Sequence, residues 1–279
     1  MEKIIIGANA ANLNSNTLDF ACYLAHLTHS TLSGIFLANP EGEEVPVMKI
    51  AFGMPYVETI VAQDIPGTQE RTRLLKENTR LFEEICKNRG VNCSTRRARG
   101  VPVEVMIAES RFADLIVADP ETSFGRNKEE VPTGFIKELL AKSECPVAIA
   151  PYSFYGINEI VLAYDGSASS VFAIKQFTHL FPAYSNKKLT ILQVAGHEHT
   201  DDDEKTKLLS FLGEHYSDIS FKQLVGKATD ELFGFFLGRK DVFIVMGAFG
   251  RSTISDFFKK STAELVLKTV NLPVFIAHH

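Results

Sequence analysis

The chain lacks the features that would announce an oxidising compartment, a membrane or a nucleic acid. Its four cysteines, Cys22, Cys86, Cys93 and Cys145, all fall within residues 1–150 and form no C-x-x-C pair. They fit a reducing cytoplasm better than a disulfide framework or a zinc site. No stretch reaches the ~18 consecutive apolar residues of a membrane span. The N-terminus, Met1-Glu2-Lys3-Ile4-Ile5-Ile6-Gly7, has an acidic residue beside its one lysine and too short an apolar run for a signal peptide. A soluble cytoplasmic protein without a membrane partner is expected. Twenty-nine Lys and Arg stand against 34 Asp and Glu, a net charge of −5, and only Arg96-Arg97-Ala98-Arg99 concentrates positive charge. Those arginines read as a solvated strand end, and nucleic acid is not an expected partner.

Catalytic signatures are equally scarce. There is no G-x-S-x-G nucleophile elbow, no base accompanies the cysteines, and Asp165-Gly166-Ser167-Ala168-Ser169-Ser170 lacks the order of an S-G-G-x-D-S pyrophosphatase loop. No catalytic residue is assigned, and any hydrolysis would be slow. His197-Glu198-His199 with Asp201-Asp202-Asp203 could be drawn as a metal cluster. Acids at a helix start, where they favour the N-terminal dipole, make a solvated loop the better reading, and no metal site is assigned.

What is present is a repeat. At 279 residues and 45% hydrophobic content the chain can fill two cores, and the expected domains are 1–151 and 158–279. In the first half, β-branched apolar runs at 3–8, 32–38, 91–96, 114–119 and 146–150 read as strands. They alternate with helices carrying Leu18, Ala21, Cys22 and Ala25 on one face, then Leu74, Asn78, Leu81 and Ile85, then 102–110 opened by Pro102, and 133–142. That alternation predicts an α/β fold with a parallel sheet covered by helices on both faces. The order then recurs: 160–165 repeats 4–9, 189–194 repeats 32–37, Gly226 repeats Gly100, 241–246 repeats 114–119, and 273–277 repeats 146–150. Residues 151–158 read as the linker. Residues 39–67, with Pro40, Pro46, Pro55 and Pro66, read as an irregular insertion. They form an arm on a neighbouring subunit, a lid, or packing over their own domain.

The second half carries the chemistry. Val242 to Met246 is a buried strand followed by Gly247 and Gly250, where a missing Cβ permits φ > 0 and close approach of a ligand. Ser261 and Glu264 form an S-x-x-E capping box, placing helix N–H groups near the glycine loop in a geometry suited to phosphate. An ordinary strand-to-loop turn is the alternative. In the first half Asp119-Pro120-Glu121 stands where the second has Met246-Gly247-Ala248. The carboxylates repel phosphate and the proline removes an amide donor, so a nucleotide site is not expected there.

The duplicated five-strand unit, with Asp165-Gly166-Ser167 after its first strand and Gly247-x-x-Gly250 after its fourth, resembles the tandem universal stress proteins. The resemblance implies two tandem domains of the adenine nucleotide alpha hydrolase-like fold. In that family the phosphate pattern is G-x2-G-x9-G-[ST]. Gly247, Gly250 and Ser261 match it, and Lys260 replaces the third glycine, either obstructing the pocket or offering its ammonium to the phosphates. The resemblance further implies ATP or AMP as ligand, with Mg conceivable beside ATP. Gly247, Gly250, Ser261 and Thr262 would hold the phosphates, and Asp165 and Val194 the nucleoside. Asp165 also suits an Asx-turn, and Val194 suits core packing. The first-half counterparts are Asn9 and Leu37. The family also pairs its fifth strands between domains, here 146–150 with 273–278, and assembly into a homo-oligomer through 39–67 is a further expectation. Two readings of function follow: a nucleotide-binding stress-response protein, and an interaction protein of the same family that no longer binds nucleotide.

Overall fold

The computed structural model describes residues 1–9, 12–38, 44–51, 54–61, 68–124, 128–195, 202–247 and 271–277. The first half runs β1 (Lys3–Asn9), α1 (Ser15–Thr28), β2 (Thr31–Ala38), β3 (Glu44–Ala51), β4 (Met54–Val61), α2 (Thr68–Asn88), β5 (Cys93–Arg99), α3 (Pro102–Ser110), β6 (Leu115–Ala118), α4 (Gly134–Lys142) and β7 (Val147–Ile149). The second runs β8 (Glu159–Ala163), α5 (Ala168–Leu180), β9 (Lys188–Ala195), α6 (Asp202–Gly213), β10 (Ile219–Val225), α7 (Ala228–Phe236), β11 (Val242–Gly247) and β12 (Val274–Ala277). Ten strands form one sheet in the order β10-β9-β8-β11-β12-β7-β6-β1-β2-β5. Within each half the strands are parallel. Between halves β12 and β7 pair antiparallel, with Phe275 opposite Ala148, so the expected pairing of fifth strands is present.

Local chemistry explains the elements. The central strands are continuous apolar runs because both of their faces are covered; Ile4, Ile5, Leu115, Ile116, Ile160, Val161, Phe243 and Ile244 are all fully buried. Helix α1 starts where the Asn14 side chain accepts from the Asn16 and Thr17 N–H groups, and α5 starts where Ser167 accepts from the Ser170 N–H. Helix α2 is followed by Gly90 in the left-handed region, at φ 68°. Gly100 and Gly226, at equivalent places before α3 and α7, both take positive φ.

The core divides by face of the sheet, not by half of the chain. One face collects Phe20, Phe82, Phe177, Phe243 and Phe275 under α1, α2, α5 and α6, and the other collects Met106, Ile136, Leu139, Phe236 and Ile244 under α3, α4 and α7. Side chains tie the halves together across the β7–β12 seam. The Phe20 ring meets Phe243 edge-on at 5.9 Å and Phe154, in the connecting segment, at 5.2 Å. The Tyr184 hydroxyl donates to that of Tyr23 at 3.3 Å.

Three expectations need correction. The buried stripe of α2 is Leu75, Phe82 and Cys86, whereas Leu81 is 40% exposed. The insertion is not irregular throughout, since β3 and β4 form a separate antiparallel hairpin in which Val47 faces Glu58. The third strand begins at Cys93, two residues later than its apolar start suggests. The arginines of β5 are exposed as expected, with Arg96 paired to Glu109. Among the described residues, no helix is long and apolar enough to cross a membrane.

Candidate functional site

In each half the chain reverses its direction of travel across the sheet between the first strand and the fourth. Such a point opens a crevice at the carboxyl ends of parallel strands. In the second half the crevice lies between β8 and β11. The ladder of β8 with β9 stops at Ala163 opposite Leu192, with one further bond from the Tyr164 N–H to the Leu192 carbonyl. Strand β9 continues to Ala195. A cavity of about 110 Å³ occupies the opening, and Asp165, Val194 and Gly247 all line it, each from a different strand end. Its apolar walls include Leu192, Leu232 and Met246. The wall from α7 was not anticipated, although the repeat of Gly100 at Gly226 was the available signal, because that glycine turns the chain from β10 into α7.

Asp165 is exposed at the mouth. Its Oδ1 accepts the Ser167 N–H at 2.9 Å, the Asx-turn expected of an Asp-Gly loop, and Gly166 takes φ 78°. Among the described residues, Oδ2 carries no hydrogen bond. Val194 is half-buried and pairs with Leu224 of β10 on its outer side. It lines the cavity and belongs to neither buried core cluster.

Gly247 does not take the positive φ expected of it; close backbone packing requires the glycine. Its φ lies outside the left-handed region; a Cβ built there would come within 2.5 Å of the Ser169 carbonyl carbon and 2.6 Å of the Ser170 nitrogen. The glycine lets the end of β11 press against the first turn of α5. The N-terminus of that helix, capped by Ser167, therefore stands directly beside the strand tip. Gly250, Lys260, Ser261, Thr262 and the 197–201 loop lie outside the described residues. Among the described residues, no three His, Cys, Asp or Glu side chains are grouped so as to hold a metal.

In the first half the described polar groups at the equivalent strand ends are partnered within the half. Strand β1 stays paired with β2 as far as Asn9 opposite Leu37, two steps beyond the point where β8 leaves β9. Leu37 is buried where Val194 is half-buried. The ladders place Asp119, not Pro120, at the position of Gly247, because Ile116 bonds to Pro146 as Ile244 does to Pro273. The Asp119 carboxylate accepts from Asn14 Nδ2 at 2.7 Å and from the Glu121 N–H at 2.9 Å. Asn9 Nδ2 donates to the Ser123 carbonyl at 2.9 Å. At the start of α4, Glu129 accepts from the Gly134 N–H at 2.7 Å and from the Ser123 hydroxyl. An internal carboxylate thus sits where a helix dipole favours an anion.

Comparison with solved structures places this arrangement among known folds. A universal stress protein from Archaeoglobus fulgidus is similar over 99% of this chain and 96% of its own, at a TM-score of 0.70 and 15% identity. A putative universal stress protein from Pseudomonas aeruginosa is similar over 100% of this chain and 93% of its own, at a TM-score of 0.58 and 17% identity. A functionally unknown protein of the same species is similar over 100% of this chain and 92% of its own, also at 0.58 and 17%. The chain therefore has the fold of the universal stress proteins along its whole length. No protein-family profile matches the sequence, and no curated protein matches it.

Proposed function

We propose that this chain is a tandem universal stress protein that binds an adenine nucleotide, ATP or AMP, in its second half without rapid turnover. The observation that carries the reading is the convergence of Asp165, Val194 and Gly247 on one cavity, beside the N-terminus of α5. The three residues lie at or just beyond the ends of three separate strands. Cavities that enclose a whole drug-sized ligand measure about 300–1,000 Å³. The described cavity, at about 110 Å³, matches the base alone. The Asp165 carboxylate accepts ribose hydroxyls, and the backbone of β9 beyond Leu192 meets the base edge. In this reading Gly247, Gly250, Ser261 and Thr262 are the phosphate-binding residues.

Protein purified without added ligand and then denatured should release ATP or AMP, and about millimolar ATP should raise the melting temperature. An empty protein with no thermal shift overturns the reading. A second reading, action as a nucleotide-independent interaction protein of the cytoplasm, is favoured by the β3–β4 hairpin, which lies outside the main sheet. An isolated two-stranded hairpin is marginal in water and gains from a covering surface. Deletion of residues 45–54 should then change the sedimentation behaviour while leaving any nucleotide response intact.

A further inference from the structure

Three of the four cysteines meet in the first half. Cys22 on α1 and Cys86 on α2 face each other with Sγ atoms 3.8 Å apart, and both are buried. Cys93, at the start of β5, is half-buried and lies close enough to Cys86 for the two thiols to influence each other. The fourth, Cys145, is buried under α4 on the opposite face of the sheet. A file of three thiols leading from a half-buried position inward is a chemical arrangement that neither the fold nor the candidate nucleotide site requires.

We propose that Cys22 and Cys86 form a reversible disulfide when the protein meets a peroxide, with Cys93 as the point of entry. The Sγ separation is ordinary van der Waals contact, and closing it to a bond of about 2.05 Å calls for side-chain rotation and a small approach of two packed helices. In the first step the Cys93 thiolate attacks a peroxide oxygen. An S–O bond forms, the O–O bond breaks, and the leaving hydroxide takes up the thiol proton as water. In the second step the Cys86 sulfur attacks Cys93, the S–O bond breaks, and a second water leaves. In the third step Cys22 attacks the Cys86 sulfur and releases Cys93 as a thiol. In total, two thiols and one peroxide give one disulfide and two waters.

The surroundings favour the third step, whereas burial raises the Cys93 thiol and slows the first. The Cys86 hydrogen bond, aided by the nearby Arg89 guanidinium, holds Cys22 below the ordinary thiol range, while the same contact and burial raise Cys86. Cys22 is therefore the better attacking sulfur of the pair. Burial pushes Cys145 up to about 12, and it serves as the internal inert control.

The test uses the full chain, reduced, treated with hydrogen peroxide, quenched, unfolded, alkylated and mapped by mass spectrometry. The expected product lacks two hydrogens, joins the Cys22 and Cys86 peptides, leaves Cys145 alkylated, resists denaturant more than the reduced form, and returns to the starting mass with dithiothreitol. Cys93→Ser should form the same link several-fold more slowly. Because a serine could disturb packing, wild-type protein is also treated with diamide, which needs no peroxide entry and should give the same Cys22–Cys86 link. Oxidation of Cys93 with no Cys22–Cys86 link in either treatment, or a terminal Cys86–Cys93 link, overturns the proposal. An unchanged rate in Cys93→Ser overturns the entry role.

Discussion

The two halves share element order, sheet topology and seam, yet treat the same crevice in opposite ways. In the second half β8 parts from β9 early, a glycine brings β11 against the start of α5, and a cavity remains. In the first half two more rungs of ladder, an aspartate at the glycine's position and a carboxylate at the head of α4 leave the corresponding groups satisfied by one another. The contrast teaches that a small number of choices at strand tips decides how such a crevice is lined. The same backbone plan lines it with mutually bonded polar groups when side chains supply the partners.

The largest expected effect concerns whether the halves can be treated separately at all. Phe20 belongs to the first half but packs on Phe243 of the second, so Phe20→Ala should cost about 3–5 kcal/mol. Urea unfolding followed by probes in each half should show both destabilised together. An effect confined to the first half would break the picture of a shared core. Next, Asp165→Ala should weaken adenine-nucleotide binding by about 1.5–3 kcal/mol, the worth of a hydrogen bond to a charged group, whereas Asn9→Ala should leave calorimetric titrations unchanged. Equal losses would mean that the first half also binds.

Gly247→Ala should destabilise by about 1–3 kcal/mol, because its Cβ collides with backbone and not with a yielding side chain. Thermal denaturation reads this directly, and a neutral result would show that β11 and α5 can separate at no cost. The smallest effects sharpen the comparison at the caps. Ser167→Ala and Asn14→Ala should each cost about 1 kcal/mol. Asn14 should be the costlier of the two, because its amide also holds Asp119. Circular-dichroism melts of the two variants would rank them.

Much of this was legible before any coordinates. Strands buried on both faces carry unbroken apolar runs, so 4–6, 115–118, 160–163 and 242–246 stand out, and the repeat of Gly100 at Gly226 marks the same turn twice. Gly247 stands out because it terminates such a run, whereas Asp165 and Val194 follow only from the resemblance to the universal stress proteins. Where the reading failed, the deciding contact lay far away in the chain. On α2 both the Leu74–Leu81 stripe and the Leu75–Phe82–Cys86 stripe have helical spacing. The choice falls to Gly34 of β2, where an added Cβ would come within 2.9 Å of the Phe82 ring. Prolines 46 and 55 looked like breakers of regular structure, yet in a two-stranded ribbon every strand is an edge and can spare an N–H. The pairing of Asn14 with Asp119 and of Ser123 with Glu129 in the first half depends on side chains that no periodicity brings together.

The antiparallel seam of β7 and β12 has one more implication. When identical subunits pair through such an edge, every substitution appears twice, and a change that fills one crevice fills both. Here the two partners are covalently continuous, so their association no longer depends on how much protein the cell makes, and each copy accumulates changes alone. Division of labour becomes open to this architecture: one copy is free to become a stiff support while its twin keeps an opening for a small molecule.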